Sequence, residues 1–563
     1  MPSLTATDYD NGVLIMDKKK ENSFLMQGTI LAAAAMITKF IGLAYRIPLT
    51  NILGAEGNGY YGIVFQVYNL ALMLTSYSLP MAVSKLVSER LAKRQYHNAQ
   101  RVFKGALNFA AIAGGAATLI IFIGAGFICT NILKMDLGVY ALRTLSPCIL
   151  IVAFLGVLRG YFQGHATMLP TAVSQIIEQI INAVVSVVCA YLLLKVGQSM
   201  ATGDMKESYG AALSASGATI GTVLGALSAL VFLIVLYRAY SPIVKRRLKR
   251  ERVRHLESQR TIYKILLLTI APVILSATLS NISNILDQAV FTNIMTIQGV
   301  PEKEYTMLLG LFNGQYDTMI GIPLSVATAL AASFMPSLVA AIQTGTKRQI
   351  HHKISLVSKF NMLIAIPCAA GFIILARPIL DLLFFTQDNE IPAMLLRIGG
   401  ISVVFFCLST VTTAALQGMD KMTEPVKNAA IALVIHLIAL VIMLAVFKWN
   451  IYAVVTSKIV FAAIVCLLNA RDLFKACGYR QEKVKTFLIP TIASLIMGLV
   501  SFGIYMLLAM LIGSMAATVI ALIAAIAVYG ISLIMLGGVS ENELREMPAG
   551  TKLVKILKTI HLM

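Results

Sequence analysis

The sequence predicts an all-α polytopic membrane protein with about fourteen transmembrane helices. Of its 563 residues, 58% are hydrophobic and only 13% are charged. The apolar residues come in blocks of about 20 or more, the length that an α-helix needs to cross a bilayer. Connections rich in basic residues alternate with connections that carry few, as loops on the two sides of a membrane do.

The predicted spans follow the apolar blocks along the chain. The glycine-rich segment Gly54–Gly59, between the first two spans, is expected to be a flexible outer loop. The approximate ranges of the spans are 24–48, 60–88, 105–130, 139–162, 169–195, 211–238, 264–292, 306–341, 355–376, 393–416, 427–447, 450–473, 486–511 and 514–537.

The distribution of Lys and Arg predicts the orientation. Basic residues concentrate in one set of connections, above all between Arg238 and Lys264, whereas the alternate connections carry few, such as Lys134 and Lys303. We therefore expect an even number of spans, with both termini in the cytoplasm. This pattern accounts for most of the formal net charge of +20, so we expect no nucleic-acid partner. The N-terminal stretch lacks a cleavable signal pattern.

Two parts of the sequence resemble each other. Leu158–Gly164, followed by Pro170, is similar to Ala414–Gly418, followed by Pro425. Because an even number of spans separates them, the repeats are expected to be parallel, with two six-helix lobes around a central cavity. The predicted segments are a cytoplasmic tail (1–23), an N-lobe (24–240), a basic cytoplasmic linker (241–263), a C-lobe (264–474), two additional spans (486–537) and an amphipathic cytoplasmic tail (541–563), on the membrane surface or solvated.

Two cations in the first span are the strongest functional signal. Lys39 and Arg46 lie seven residues apart and share one helical stripe with Gly42. A charge at membrane depth costs at least ~2.5 kcal/mol, so two on one stripe need a reason. The hypothesis is an anionic substrate in a polar cavity, although Arg46 alone is close enough to the interface to snorkel.

Two further charges belong to the predicted N-lobe. Glu178 lies about 15 Å into the fifth span and is expected to pair with Lys39 or Arg46, either in the cavity or as a structural ion pair. Arg143 lies one turn inside the fourth span, where it is either interfacial or in contact with substrate.

The predicted C-lobe has its own charges at depth. Asp317 lies near the middle of the eighth span, and Lys458 in the twelfth is the expected counter-ion. Asp287 shares a helix face with Asn284, as a cation site or as a solvated polar face. His436 is either a packing residue or a proton relay.

Enzyme signatures are missing from the sequence. It has no HExxH, GxSxG or Walker A motif, and its predicted loops are short. The seven cysteines are scattered, without a CxxC pair, and read as core residues. We expect a protein that is not an enzyme, with no cofactor and no bound metal.

Several short motifs carry a family resemblance: Gly28–Ile30, Thr38–Gly42, Ile52–Gly57, Leu79–Val87, Ile322–Ala327 and Met335–Leu338. With these motifs the sequence resembles the polysaccharide-transporter branch of the multidrug/oligosaccharidyl-lipid/polysaccharide (MOP) exporter superfamily. It is most similar there to the stage V sporulation protein B group and related lipid II flippases.

The resemblance implies a flippase that carries an undecaprenyl-diphosphate-linked oligosaccharide, such as the peptidoglycan precursor lipid II, across the cytoplasmic membrane. Lys39 and Arg46 match the first-helix cations that are proposed to hold the pyrophosphate. The eighth-helix motif of the better-known flippases has an Asp followed by an Arg. Here Asp317 is followed by Thr318, so Lys458 would have to supply the cation.

Other implied features concern coupling and the lipid tail. Some members have a sodium site, for which Asp287, Asn428 and Thr456 are the nearest candidates here. Transport would be coupled to Na⁺ or to the membrane potential, in a monomer surrounded by membrane lipids. Spans 486–537 would form a groove for the lipid tail.

Three other functions stay open. A multidrug or cation antiporter could share this fold, although the paired cations disfavour it. A flippase for another lipid-linked polysaccharide would keep the mechanism and change the cargo. A membrane scaffold without transport activity is the alternative from a different class.

Overall fold

A computed structural model of the chain describes residues 6–76, 78–200, 203, 205–251 and 256–541. These residues form α-helices and short π-helical segments, with no β-strand among them. The predicted all-α polytopic class is confirmed. The predicted amphipathic tail lies outside the described residues except for Glu541, and part of the predicted basic linker also lies outside them.

Within the described residues, ten helices are long and apolar enough to cross a membrane. The number is eleven if the bent pair Glu390–Gly399 and Ser402–Gly418 forms one span. The first candidate, Ala33–Ala92, contains residues 33–48 of the first predicted span and all of the second. Helices also occupy the predicted seventh and eighth spans. Each predicted span therefore falls on one helix or on consecutive helices.

The chain folds into two compact units. The first unit contains the residues up to Leu53 together with Ile63–Asn281, and the second contains Gly54–Gly62 together with the residues from Ile282 onward. The first seven helices are α1 (Ala6–Thr75), α2 (Leu79–Ala92), α3 (Tyr96–Phe127), α4 (Gly138–Leu145), α5 (Pro147–Gly164), α6 (Leu169–Met200) and α7 (Met205–Arg250).

Helix α8 (Gln259–Ile297) begins in the first unit and ends in the second. The remaining helices are α9 (Glu302–Leu311), α10 (Asp317–Thr344), α11 (Lys347–Ile374), α12 (Ala376–Leu383), α13 (Glu390–Gly399), α14 (Ser402–Gly418), α15 (Thr423–Ala445), α16 (Ile451–Cys477), α17 (Ile489–Ile512) and α18 (Ser514–Met535). A π-helical segment, Phe312–Tyr316, joins α9 to α10.

The core of the first unit is aliphatic and aromatic. Leu79, Val102, Leu158, Leu233 and Ile262 are fully buried in one cluster, contributed by α2, α3, α5, α7 and α8. In lipid, such a cluster is stabilised mainly by close packing, because the surrounding acyl chains are equally apolar.

The segment after the first predicted span is helical, so its prediction as a flexible loop was wrong. Helix α1 continues through it, with one break at Gly54, whose φ of 66° and ψ of −176° are readily adopted only by glycine. The glycines that follow serve close packing within the second unit. A Cβ at Gly59 would overlap Thr306 of α9, and a Cβ at Gly310 would overlap Ala55.

Glycine also determines how closely α6 and α7 pack. A Cβ at Gly217 would overlap the backbone of Cys189, and one at Gly221 would overlap Ser186. Small residues at such positions let two membrane helices approach backbone to backbone. The Ser186 hydroxyl donates a hydrogen bond to the Ala218 carbonyl at 2.8 Å, which joins the two helices at this approach.

We expect Gly221→Ala to destabilise the protein by about 1–3 kcal/mol, because the added methyl group overpacks the contact with Ser186. Thermal unfolding of the purified protein in detergent measures this as a lower apparent melting temperature. Gly115→Ala in α3 is the matched control, because a Cβ there meets nothing within 4 Å. Gly115→Ala should leave the free energy of unfolding unchanged or raise it by up to about 1 kcal/mol. Equal melting temperatures for the two variants would contradict the packing argument.

Candidate functional site

The cationic stripe of α1 lies against α6. Lys39 is exposed and Arg46 is half-buried. Between them, a Cβ at Gly42 would lie 3.1 Å from Nε2 of Gln179. One turn further, the Asn182 side-chain amide donates a hydrogen bond to the Tyr45 hydroxyl at 3.2 Å. The space beside Gly42 therefore holds a polar side chain of α6.

A stripe of polar residues runs along this face of α6. We call Gln175, Glu178, Gln179 and Asn182 the α6 polar stripe, since their spacing places them on one helix face. The side-chain oxygen of Asn182 also accepts a hydrogen bond from Thr222 on α7 and lies 2.8 Å from the hydroxyl oxygen of Ser186 on its own helix. So many polar groups within a membrane span indicate a functional region.

Glu178 pairs with Arg159, whereas Lys39 or Arg46 was the predicted partner. The Arg159 Nη2 atom lies 2.7 Å from the Glu178 Oε2 atom, and Arg159 Nε donates a hydrogen bond to Ser174 Oγ at 3.0 Å. The reason is topological. Helices α5 and α6 are joined by only a short turn, so residues near their connected ends lie side by side.

Sequence reasoning missed Arg159 as a functional residue. Its position just before an almost uncharged connection made it look like part of an inner loop. The sequence pattern that could have predicted this pair is an arginine and a glutamate on either side of a tight turn between two spans. The Arg159 and Glu178 side chains are 15% and 29% exposed, so both are accessible to a ligand.

The charges of this region favour an anion. The two helices that contact the α6 polar stripe carry three cations, Lys39 and Arg46 on α1 and Arg159 on α5, and the stripe itself carries one carboxylate, Glu178. Electrostatic attraction is stronger in surroundings of low dielectric constant than in water. A multiply charged anion would therefore be stabilised here, and a cationic ligand would be repelled.

Arg143 lies in a different place. It is exposed in the last turn of α4, a helix that packs on α3, α5 and α7. This position is compatible with an interfacial role and with contact to the substrate, and both stay predictions.

The predicted ion pair of the second unit is present. Lys458 Nζ lies 3.4 Å from Asp317 Oδ1 and 4.6 Å from the centre of the Phe312 ring. The π-helical segment ends immediately before Asp317. Such segments are frequent at functional sites, because the wider turn changes the direction in which the side chains point. The Thr318 hydroxyl, at the position of the family's arginine, donates to the Gly314 carbonyl at 2.7 Å.

Asp287 has a histidine partner. The His436 Nε2 atom lies 2.8 Å from Asp287 Oδ1 and 3.1 Å from Ser283 Oγ. Asp287 is 1% exposed and His436 is fully buried. A carboxylate this deep needs such a partner, because an isolated buried charge is costly.

The other two candidates for the cation site have different partners. Asn428 donates hydrogen bonds to Asn469 and to Asp472, at 3.0 and 2.8 Å. Thr456 donates to the Tyr452 carbonyl of its own helix at 2.9 Å. Among the described residues, no group of three His, Cys, Asp or Glu side chains is arranged to hold a metal ion. The cation site stays a prediction.

Comparison with known proteins identifies the family. A family model described as polysaccharide biosynthesis protein matches residues 24–341, more than half of the chain. The chain belongs to this family. The lipid II flippase MurJ of Bacillus subtilis (strain 168) is 26% identical over 428 residues, which are 74% of this chain and 77% of that protein. Stage V sporulation protein B of the same organism is 22% identical over 536 residues, 95% and 99% of the two chains.

Solved structures share the fold. The inward closed conformation of the lipid II flippase MurJ has a TM-score of 0.64 at 14% identity, covering 90% of this chain and 98% of that one. An inward-facing multidrug resistance MATE family transporter of the MOP superfamily has a TM-score of 0.62 at 18% identity, covering 78% and 95%. The resemblance to the MOP superfamily is confirmed, as is a multi-pass protein of the bacterial cell membrane.

We expect the Arg159–Glu178 pair to contribute to stability cooperatively. Removing one member of a buried pair costs about 3–5 kcal/mol, and partial exposure should reduce this to about 1–3 kcal/mol for Arg159→Gln or Glu178→Gln. The double variant should lose less stability than the sum of the losses in the two single variants. Thermal unfolding of all four proteins in a double-mutant cycle measures this difference.

The exposed Lys93–Glu89 pair, whose charged atoms are 2.9 Å apart compared with 2.7 Å in Arg159–Glu178, serves as the control. Its coupling energy should be close to zero, because water screens it. Additive effects of the Arg159 and Glu178 substitutions would show that the two side chains do not interact in the folded protein.

Proposed function

We propose that the protein is a flippase that moves an undecaprenyl-diphosphate-linked oligosaccharide across the cytoplasmic membrane, with lipid II as the favoured cargo. The observation that carries the proposal is that the polar stripe of α6 lies against α1, the helix of Lys39 and Arg46, and is also in contact with Arg159 of α5. The names of the similar proteins, a lipid II flippase and a sporulation protein, support the same class of cargo.

The cargo explains why cations are retained in membrane spans. A diphosphate and its glycan cannot enter hydrocarbon without a large loss of solvation free energy, whereas the polyprenyl tail can stay in the lipid. Guanidinium groups bind phosphate oxygens through paired, charge-assisted hydrogen bonds. The three cations would hold the headgroup while the tail remains outside, with the helices of 486–537 as its groove.

Transport would proceed by alternating access, with two lobes rocking about a central cavity, as the parallel internal repeat suggests. No chemical bond changes in this process, so the protein is not an enzyme. Movement of charge across the membrane could drive turnover, at ~2.3 kcal/mol per charge per 100 mV, and Na⁺ is the alternative coupling ion. The protein would act as a monomer with both termini in the cytoplasm.

An antiporter for drugs or cations is the second candidate, because the MATE transporter shares the fold. The charge balance argues against it, since three cations would repel a cationic drug. A flippase for a different lipid-linked polysaccharide uses the same diphosphate and therefore the same residues. A scaffold without transport activity would have no use for the cations, and this difference makes the candidates separable.

We expect Lys39→Ala and Arg46→Ala each to abolish complementation of a bacterial strain depleted of its lipid II flippase, because the diphosphate loses a positive partner. Lys39→Arg keeps the charge and should retain activity. The measurement is growth, together with the amount of lipid-linked precursor that accumulates in the inner leaflet.

The matched control is Lys195→Ala, which removes an exposed lysine whose Nζ lies over the Tyr191 ring at 4.5 Å. It should complement fully. Protein levels are compared by immunoblot. Full complementation by Lys39→Ala and Arg46→Ala at normal protein levels would exclude an anionic cargo, and accumulation of a different glycan would identify another polysaccharide.

A further inference from the structure

Arg159 is held ready for a ligand by two contacts. Its Nε donates to Ser174 Oγ at 3.0 Å, and its Nη2 lies 2.7 Å from Glu178 Oε2. The hydroxyl fixes the plane of the guanidinium, and the carboxylate occupies one of its donor edges. A phosphate oxygen would bind to that same edge, because carboxylate and phosphate match guanidinium in the same way.

The ion pair is not required by the fold of this helix pair. In the internal repeat, Gln163 corresponds to Gln417, so Arg159 corresponds to Thr413 of α14. There the Thr413 hydroxyl accepts a hydrogen bond from the neutral amide of Asn469 at 2.9 Å. In the second unit, the residue equivalent to Arg159 is therefore uncharged, and so is the side chain that binds to it. The charged pair in the first unit needs an explanation other than helix packing.

We propose that Glu178 is a resident counter-anion that the substrate's diphosphate displaces from Arg159, so that Arg159 becomes a third substrate-binding cation. This inference rests on the proposed function and specifies how its site is regulated. The carboxylate occupies the place of the anion when the site is empty. The diphosphate, with its higher charge and the additional attraction of Lys39 and Arg46, replaces it.

Such an exchange would serve a transporter in both halves of its cycle. In the empty site, Glu178 offsets one of three positive charges, which lowers the cost of keeping them out of water. In the loaded site, it competes for Arg159 and limits the affinity, so that the headgroup can leave on the far side. A carrier that bound the diphosphate without competition would release it slowly.

The test measures binding of fluorescent undecaprenyl diphosphate to the full-length protein in lipid nanodiscs. Unlabelled undecaprenyl diphosphate and inorganic pyrophosphate are the competitors. We expect Glu178→Gln to tighten binding about tenfold, and Arg159→Gln to weaken it about tenfold, the range of a charge-assisted contact. In the Arg159→Gln background, Glu178→Gln should have no further effect. In vesicles, Glu178→Gln should lower both KM and the maximal transport rate.

Glu424→Gln is the matched control for the change in net charge, because Glu424 pairs with Lys427 at the start of α15. It should leave binding unchanged. Glu178→Ala provides a second way to remove the carboxylate if Glu178→Gln elutes as aggregate. Unchanged or weaker binding by whichever Glu178 variant is folded would overturn the proposal, and so would a tightening that persists without Arg159.

Failure of the proposed function gives a different result. If the cargo is not a lipid diphosphate, Lys39→Ala and Arg46→Ala will bind the probe as the unsubstituted protein does, which overturns both proposals. If those two variants weaken binding while the Arg159 and Glu178 variants do not, the proposed function stands and only the counter-anion role is wrong. Competition by pyrophosphate alone would show that the diphosphate, not the lipid tail, is recognised.

Discussion

The cost of placing charge in hydrocarbon is the constraint on which the rest of this structure depends. A buried ion is tolerated when an opposite charge lies within contact distance, and it is strongly destabilising when that partner is missing. Arg159–Glu178 and Lys458–Asp317 are such pairs among the described residues, and His436 lies 2.8 Å from the buried carboxylate of Asp287. Each pair joins two different helices. Charge compensation therefore specifies which helices are neighbours, as well as what they could bind.

The two halves of the internal repeat use this constraint differently. In the first unit the polar stripe of α6 faces an arginine, whereas in the second unit hydrogen bonds between side-chain amides and a hydroxyl join Asn428, Asn469 and Thr413 across α15, α16 and α14. Asn428 also donates to the carboxylate of Asp472. The two copies of the repeated motif therefore differ in their polar chemistry.

Much of the fold was predictable from the sequence, because span length and apolar content depend on the bilayer and not on tertiary contacts. The Asp317–Lys458 pair was also predictable, since few other charges were available at that depth. The partner of Glu178 was not. Periodicity gives the face of a helix on which a residue lies, but not the neighbour that this face meets. The prediction of a flexible loop at Gly54–Gly59 was wrong for a related reason. Glycine permits both a turn and a close helix contact, and only the packed structure distinguishes them.

The π-helical segment before Asp317 makes the second ion pair sensitive to the length of the chain. One extra residue in that turn rotates everything after it by about 100° relative to a regular α-helix. Deleting a single residue between Phe312 and Tyr316 would restore the regular winding and swing the carboxylate away from Lys458, even with every charged side chain intact. Natural variants of this region should therefore tolerate changes of residue type more readily than insertions or deletions.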